Sequence, residues 1–310
     1  AAQKIAETIV DTIGEKRAIA ALAVATMIIC AVGVFIDIAV ITVAPIALAI
    51  GERAGLSKSG ILLAMIGGGK AGNIVSPNPN TIAVTEAFQL DLTAVMLKNL
   101  IPAICALIAT IVLASLLAKK AGDGISQNDL EAAPAEKLPN ALQAFAGPLT
   151  VIVLLALRPL AKISVDPLIA LPLGGLVCIL VTGNIRNLIP YTDFGLSKVI
   201  GVAILLIGTG TIAGIIKASA LQKDMTTLLS AMNMPAFILA PLSGILMAAA
   251  TASTTAGSTV ASQTFSGTLL SAGVPALSAA AMIHAGATVL DSLPHGSFFH
   301  ATGGSVYMDI

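Results

Sequence analysis

The chain has 310 residues, of which 56% are hydrophobic and only 10% charged, with a formal net charge of zero. A soluble domain carries about 25% charged residues, so a core this apolar cannot be covered in water by so few charges. The balanced charge and the lack of any basic run give nucleic acid nothing to bind, which leaves an all-α polytopic membrane protein as the class to expect.

Read from the N-terminus, Ala1-Ala2-Gln3-Lys4 lacks both an initiator Met and the basic-then-apolar order of a signal peptide. Tyr307-Met308-Asp309-Ile310 closes the chain without a polar tail, and sequence is expected to be missing at both ends. Ala1–Gly14 reads as an amphipathic lead-in. Runs long and apolar enough to cross a bilayer follow at Ala18–Ile36, Leu100–Ala118, Leu142–Leu157, Pro167–Ile185, Val199–Ile216 and Pro235–Ser253, the third needing its flanks to cross. Cys30, Cys105 and Cys178 all lie in such runs and read as small core residues. The three histidines are too scattered for a metal motif, and no metal or cofactor is expected. If the spans alternate, Lys and Arg fall evenly on the two sides and leave orientation open.

Asp37 follows nineteen uncharged residues. A carboxyl at membrane depth is costly and points to function, and burial suits it to exchange a proton near neutral pH; the bland reading is a helix cap at the interface. A turn at Ala54-Gly55-Leu56 precedes a Gly-rich breaker, Gly67-Gly68-Gly69, and a Pro-rich segment carrying Asn73, Ser76, Asn78, Asn80 and Thr81. The polar stretch Lys119–Lys137 reads as part of a solvated loop, residues 119–140, between a first membrane half (1–118) and a second (141–310). The second half repeats the order: a lead-in at Lys217–Met232, a span, Ala272-Gly273-Val274, then a segment from His284 through Asp291, Ser292 and Pro294 to Ser297. Paired Gly/Pro-interrupted segments in two halves point to a transporter site, because irregular backbone at depth survives only under protein or beside a wet cavity.

The breaks around Gly72–Thr81 and Ala287–Ser297 are therefore expected to be non-spanning, to enter from opposite sides and to meet near mid-membrane. Asn73, Ser76, Asn78, Asn80 and Thr81 suit an anion, since a turn between half-helices aims N–H groups and a positive dipole end at one point. Ser292 and Ser297 would answer from the other segment. Lys70 reads either as a counter-charge or as a snorkelling helix-end residue. Asp291 ends a stretch with no charged residue after Met225. With Asp37 it is a candidate proton carrier, with His284 as a relay or partner; His295 and His300 are weaker candidates. The hydroxyl-dense run Thr251–Thr268 reads as one helix beside a wet cavity, with close helix packing explaining part of it.

Three pieces carry a resemblance: Phe35-Ile36-Asp37 eight residues before Pro45, Ser76-Pro77-Asn78-Pro79-Asn80-Thr81-Ile82-Ala83, and Asp291-Ser292-Leu293-Pro294-His295-Gly296-Ser297-Phe298-Phe299-His300. With them the chain resembles the gluconate permease family of proton symporters, within the broader ion-transporter superfamily. That family has a Glu at Asp37, a His at Ser76, and an Asn-Asp-Pro-Gly-like turn at Leu293-Pro294-His295-Gly296, so the chain looks like a separate branch. The resemblance implies two inverted structural repeats with re-entrant hairpins and broken helices. It also implies elevator-like alternating access, a homodimer, and a multi-pass location in the inner cell membrane. The function expected is a permease, not an enzyme, importing a small carboxylate such as gluconate or a related hydroxy acid by proton symport. Sodium coupling is the alternative. An intramembrane aspartyl protease built on Asp37 and Asp291 lacks its Gly-x-Gly-Asp motif, and a channel lacks any filter-like ring.

Overall fold

The computed structural model describes residues 1–119, 123–126, 129–130, 138–163, 165–220, 223–224, 227, 231 and 235–308. Half of the lead-in expected over residues 217–232 lies outside that set. Among the described residues the chain is helical, with one isolated bridge, Ser57 to Gly124, and no strand. In chain order the helices are α1 (Ala2–Ile13), α2 (Ala18–Ala31), α3 (Ile36–Ala54), α4 (Lys58–Asn73), α5 (Pro79–Phe88), α6 (Leu92–Lys98), α7 (Leu100–Ala118), α8 (Ala141–Ala161), α9 (Pro167–Val181) and α10 (Leu188–Ala218). After these come α11 (Leu239–Thr251), α12 (Thr254–Ser271), α13 (Ala276–Ala287) and α14 (Ser297–Gly304).

The run Leu100–Ala118 is α7 from end to end, and α7 and the stretch 185–216 are long and apolar enough to cross a bilayer unbroken. Their outer residues, among them Ile101, Ile108, Leu113, Ile204 and Ile207, stand exposed, a surface that suits hydrocarbon rather than water. Two other expected spans are corrected. Ala18–Ile36 is not one helix: α2 stops at Ala31, and Ile36 already opens α3. At 14 residues, α2 is about 21 Å long by its rise, short of a roughly 30 Å core. Pro235–Ser253 likewise resolves into a 3-10 turn, Ala236–Ile238, and the 13-residue α11. Apolar composition continues through both breaks, so hydropathy alone joins what the backbone separates.

The chain forms two compact units interleaved in sequence. One comprises Ala1–Ser76, Ile101–Leu188 and His300–Ile310. Its core gathers Leu22, Ile29, Val40, Val43, Ile61 and Met65. Here α2 crosses α4 almost backbone to backbone: a Cβ at Gly72 would stand 2.2 Å from the Met27 carbonyl oxygen, so only glycine permits the approach. The other unit comprises Pro77–Leu100 and Ile189–Phe299. Its core holds Val84, Leu239, Phe265, Leu269 and Ile283. There α11 crosses α13 in the same manner, with a Cβ at Gly286 falling 2.4 Å from the Pro241 carbonyl oxygen.

One order of elements occurs twice. A 3-10 turn (Glu15–Arg17), α2, a break, α3, a left-handed Gly55 at φ 62°, α4, a break and α5 form the first series. The second series runs from the Ala236–Ile238 turn through α11, a break, α12, a left-handed Gly273 at φ 80°, α13, a break and α14. The paired Ala-Gly dipeptides of the sequence thus sit at two turns that need a positive φ.

Candidate functional site

Three helix starts and breaks of the second unit meet through side chains. At the first, Pro79 opens α5 and Asn78 caps it, its Oδ1 accepting from the Asn80 and Thr81 backbone N–H groups, both at 3.0 Å, and from Thr81 Oγ1 at 3.2 Å. The α5 donors expected to face an anion are therefore occupied by the chain's own amide, as an N-cap requires. The second start is α12. Ala252 takes a left-handed conformation (φ 44°), Ser253 is extended, and the Ser253 hydroxyl accepts from the Ala256 N–H at 3.2 Å. The third is the break after α13, which runs from Thr288 to Gly296. It passes so close to the α11–α12 turn that a Cβ at Gly296 would lie 2.6 Å from that of Ala252.

Two neighbouring threonines in the first turn of α12 join the other two segments. Thr255 donates its hydroxyl to Asn80 Oδ1 at 2.5 Å. Thr254 donates to Asp291 Oδ2 in a short hydrogen bond. Ser292 donates to the other carboxylate oxygen at 3.0 Å. The members are almost out of solvent: Asn80 is 5% exposed, Thr254 8% and Asp291 3%. The result is a buried carboxyl and a buried amide held by neutral hydroxyls. Such a set can grip an anion through neutral donors, or a cation through oxygens alone, depending on the carboxyl's proton.

Of the residues singled out in the sequence, Asn78, Asn80, Thr81, Asp291 and Ser292 are joined to one another through this network. Asn73 ends α4 and Ser76 follows it, both buried in the first unit. Asp37 is half-buried in the first turn of α3, also in the first unit, where a carboxylate complements the helix dipole. Lys70 is half-buried in the last turn of α4. Ser297 is exposed as the first residue of α14, and His295 and His300 are exposed. His284 is wholly buried in the last turn of α13, and neither ring nitrogen has a hydrogen-bond partner. It is therefore not paired with Asp291 in this conformation.

The segment that sequence reading missed is the α11–α12 turn. Thr251–Thr268 is corrected from one helix to the end of α11, a two-residue break and most of α12. Several of its hydroxyls turn back onto their own helix. Ser258 and Thr259 both donate to the Thr255 carbonyl, and Ser262 to that of Thr259, the back-bonding by which hydroxyls are buried within a helix. α12 is enclosed by α5, α11 and α13. The available signal was Ser253 followed by Thr-Thr-Ala-Gly, a serine in N-cap position before small residues.

Known proteins agree with a transport role. The family model for GntP family permease matches residues 1–172. A protein of Haemophilus influenzae described as an uncharacterized transporter is 58% identical over 310 residues, which is all of this chain and 74% of that protein. No solved structure matches the chain.

Proposed function

The chain belongs to the GntP permease family, and we propose that it imports a small organic anion, gluconate or a related hydroxy acid, across the inner membrane by proton symport. A transporter, rather than an enzyme, follows from the family itself. The observation that carries the finer reading is the Asn80–Thr255 and Thr254–Asp291 pair of hydrogen bonds. They tie two chain breaks to a third at one buried point, and broken helices are where secondary transporters bind their substrates.

The substrate carboxylate is assigned to Asn78, Asn80 and Thr81, whose donors bond the Asn78 amide oxygen in this conformation and would turn to the substrate on binding, with Ser292 toward its hydroxyl end. Ser297 completes the assignment in this unit, while Asn73, at the end of α4, and Ser76, three residues beyond it, belong to the first unit. A hydrogen bond to a charged group contributes about 1.5–3 kcal/mol net, so two or three neutral donors suffice without an Arg clamp. Asp291 carries the proton, with Asp37 the corresponding acid of the first series and His284 a relay. An imidazole buried without a partner calls for such an explanation. The recurring order of elements supports two inverted repeats, one in residues 1–118 and one in 141–310, joined by the loop 119–140. It supports an elevator-type exchange in a homodimer. The oxygen-only donor set at Asp291 and Asn80 favours sodium as the second reading of the coupling ion.

Uptake of labelled hydroxy acids by proteoliposomes under separate proton and sodium gradients tests this. Accumulation driven by the proton gradient alone supports the proposal, and accumulation that requires sodium replaces the coupling ion.

A further inference from the structure

Two short segments of the second unit touch twice. Thr254, in the first turn of α12, donates to Asp291, and just before it the α11–α12 turn meets the far end of the same break at Gly296. Between the two contacts the break folds into a tight turn, Leu293-Pro294-His295-Gly296, closed by the Gly296 N–H donating to the Leu293 carbonyl at 2.9 Å. Pro294 and His295 are exposed and Gly296 is buried, so the turn rests on its last residue. A Cβ added there would stand 2.6 Å from the Ala252 Cβ and 2.7 Å from the Ala252 carbonyl oxygen. Neither neighbour is the end of a flexible side chain. Carbon atoms in contact sit about 3.5–4.0 Å apart, so the turn would have to retreat by roughly 1 Å.

The other side of the contact is equally particular. Ala252 is 4% exposed and holds a left-handed conformation, φ 44° and ψ 41°. Glycine usually takes that conformation at a helix end, as Gly55 and Gly273 do. An alanine there is strained, and such strain persists where the surroundings over-determine it. Here the Ala252 methyl lies against the residue of the turn that has no Cβ of its own.

We propose that Ala252 and Gly296 are positioning residues: their contact holds the break so that Asp291 stays against Thr254, and through that hydrogen bond it sets how tightly transport is coupled to the proton. The inference rests on the reading of Asp291 as the proton carrier. A hydrogen bond keeps its strength only over a narrow range of distance and angle. The Thr254 bond alone leaves the break free to swing about it, and the second contact removes that freedom. Pro294, with its fixed φ, stiffens the connection, so a retreat of the turn at Gly296 is carried back to Asp291.

The test moves the methyl from one side of the contact to the other. G296A, A252G and the double variant A252G/G296A are reconstituted in proteoliposomes beside the native protein and D291N. The ratio of proton-driven accumulation to counterflow exchange of labelled gluconate is measured for each. G296A forces the turn away and A252G leaves a gap. Each single variant should therefore lower the ratio at least about fivefold, as one weakened hydrogen bond allows, while exchange continues. The double variant should recover most of the native ratio, which two additive losses of stability would not do. G267A, at an exposed position of α12 where a Cβ meets nothing within 4 Å, should change nothing. Thermal unfolding in detergent establishes that each variant is folded. If G296A does not fold, a lowered ratio in A252G and its recovery in the double variant carry the same decision. Native ratios in the single variants, or a double variant no better than the poorer single, overturn the proposal while loss of accumulation in D291N leaves the coupling reading standing. Accumulation by D291N at the native level overturns the coupling reading, and this inference with it.

Discussion

Asn80 joins two segments through one oxygen, because Thr255 is 175 positions away in sequence and donates directly to it. Truncating it removes that link and an amide from the proposed surroundings of the substrate. Asn80→Ala is expected to raise the apparent KM for uptake at least about tenfold, equivalent to roughly 1.4 kcal/mol, without lowering the amount of protein in the membrane. Thr12→Ala, on an exposed turn of α1, should leave KM unchanged, and an unaltered KM in Asn80→Ala would make this break scaffold. Asp291 calls for a different readout, since its proposed role is coupling. Asp291→Asn preserves the shape and the acceptor for Thr254 while removing the titratable proton. It should abolish gradient-driven accumulation and spare counterflow exchange. His284 separates packing from chemistry. Replacing an unpartnered buried polar group by an apolar one of similar size is near neutral for stability, so His284→Leu should keep its thermal unfolding temperature while losing proton-driven accumulation. Normal accumulation in that variant would leave His284 as a packed core residue.

At the scale of elements, the corner between α3 and α4 is built around a segment that reads in sequence as a solvated loop. Asp123 accepts from the Ser59 N–H at 2.7 Å and from its hydroxyl, and Lys58 Nζ reaches Asp129 at 2.7 Å and the Tyr307 carbonyl at 3.2 Å. Ile125 and Leu130 pack on the core of the same unit. The described part of the loop, residues 123–126 and 129–130, is thus clasped rather than free; Asn128 and the stretch 131–137 lie outside the described residues. The hydrogen bond from Lys58, followed by those from Ser126, holds the Asp129 carboxyl down at about 2, against an ordinary value of about 3.9. A depressed carboxyl contributes its stabilisation above the ordinary value and loses it as pH falls toward the folded one. The clasp should therefore be constant at neutral pH and release only between about pH 4 and 2. Limited proteolysis at pH 7 should cut at residues 123–126 and 129–130 faster in Lys58→Ala than in the native protein. Equal resistance of the two would show that the ion pair does not hold the loop.

The same elements show what the sequence made legible. Leu100–Ala118 has no charge and no interruption, and its run and helix coincide. Gly55 and Gly273 announced their turns because a residue with positive φ at a helix end is most often glycine. The breaks at residues 32–35 and 252–253 were hidden for a physical reason. Val32, Val34 and Phe35 are as apolar as the helices they separate, so hydropathy passes over the one signal there, Gly33 at φ 109°, and Ala252 adopts its left-handed conformation without a glycine to signal it. Hydropathy reports transfer from water and carries no information on where a backbone stops being helical. At the site, Asn80 and Asp291 were each visible as polar residues in an apolar setting. Thr254 and Thr255, which connect to them, were lost within a run of hydroxyls. Only three-dimensional packing distinguishes the two that bond across segments from those that bond their own helix.

For the whole molecule, the two series of elements share a plan: a 3-10 turn, two helices around a break, a left-handed glycine, and two helices around a second break. The compact units are drawn from both halves of the chain, so a variant in one half is felt in a unit built partly from the other. Widening the α11–α13 crossing should act there. Gly286→Leu forces a side chain into the Pro241 carbonyl and should lower the thermal unfolding temperature and abolish uptake together, because that crossing supports the elements that position Thr254 and Asp291. Retained uptake at a normal unfolding temperature would show that the crossing tolerates separation.

The central claim, proton-coupled import of a hydroxy acid through the buried Asn80–Thr255 and Thr254–Asp291 network, is tested most directly by labelled gluconate uptake into proteoliposomes carrying an imposed proton gradient, with the native protein and Asp291→Asn side by side. The account predicts accumulation above equilibrium for the native protein without sodium, and exchange without accumulation for the variant. Accumulation by Asp291→Asn equal to the native level, with the same pH dependence, would contradict it.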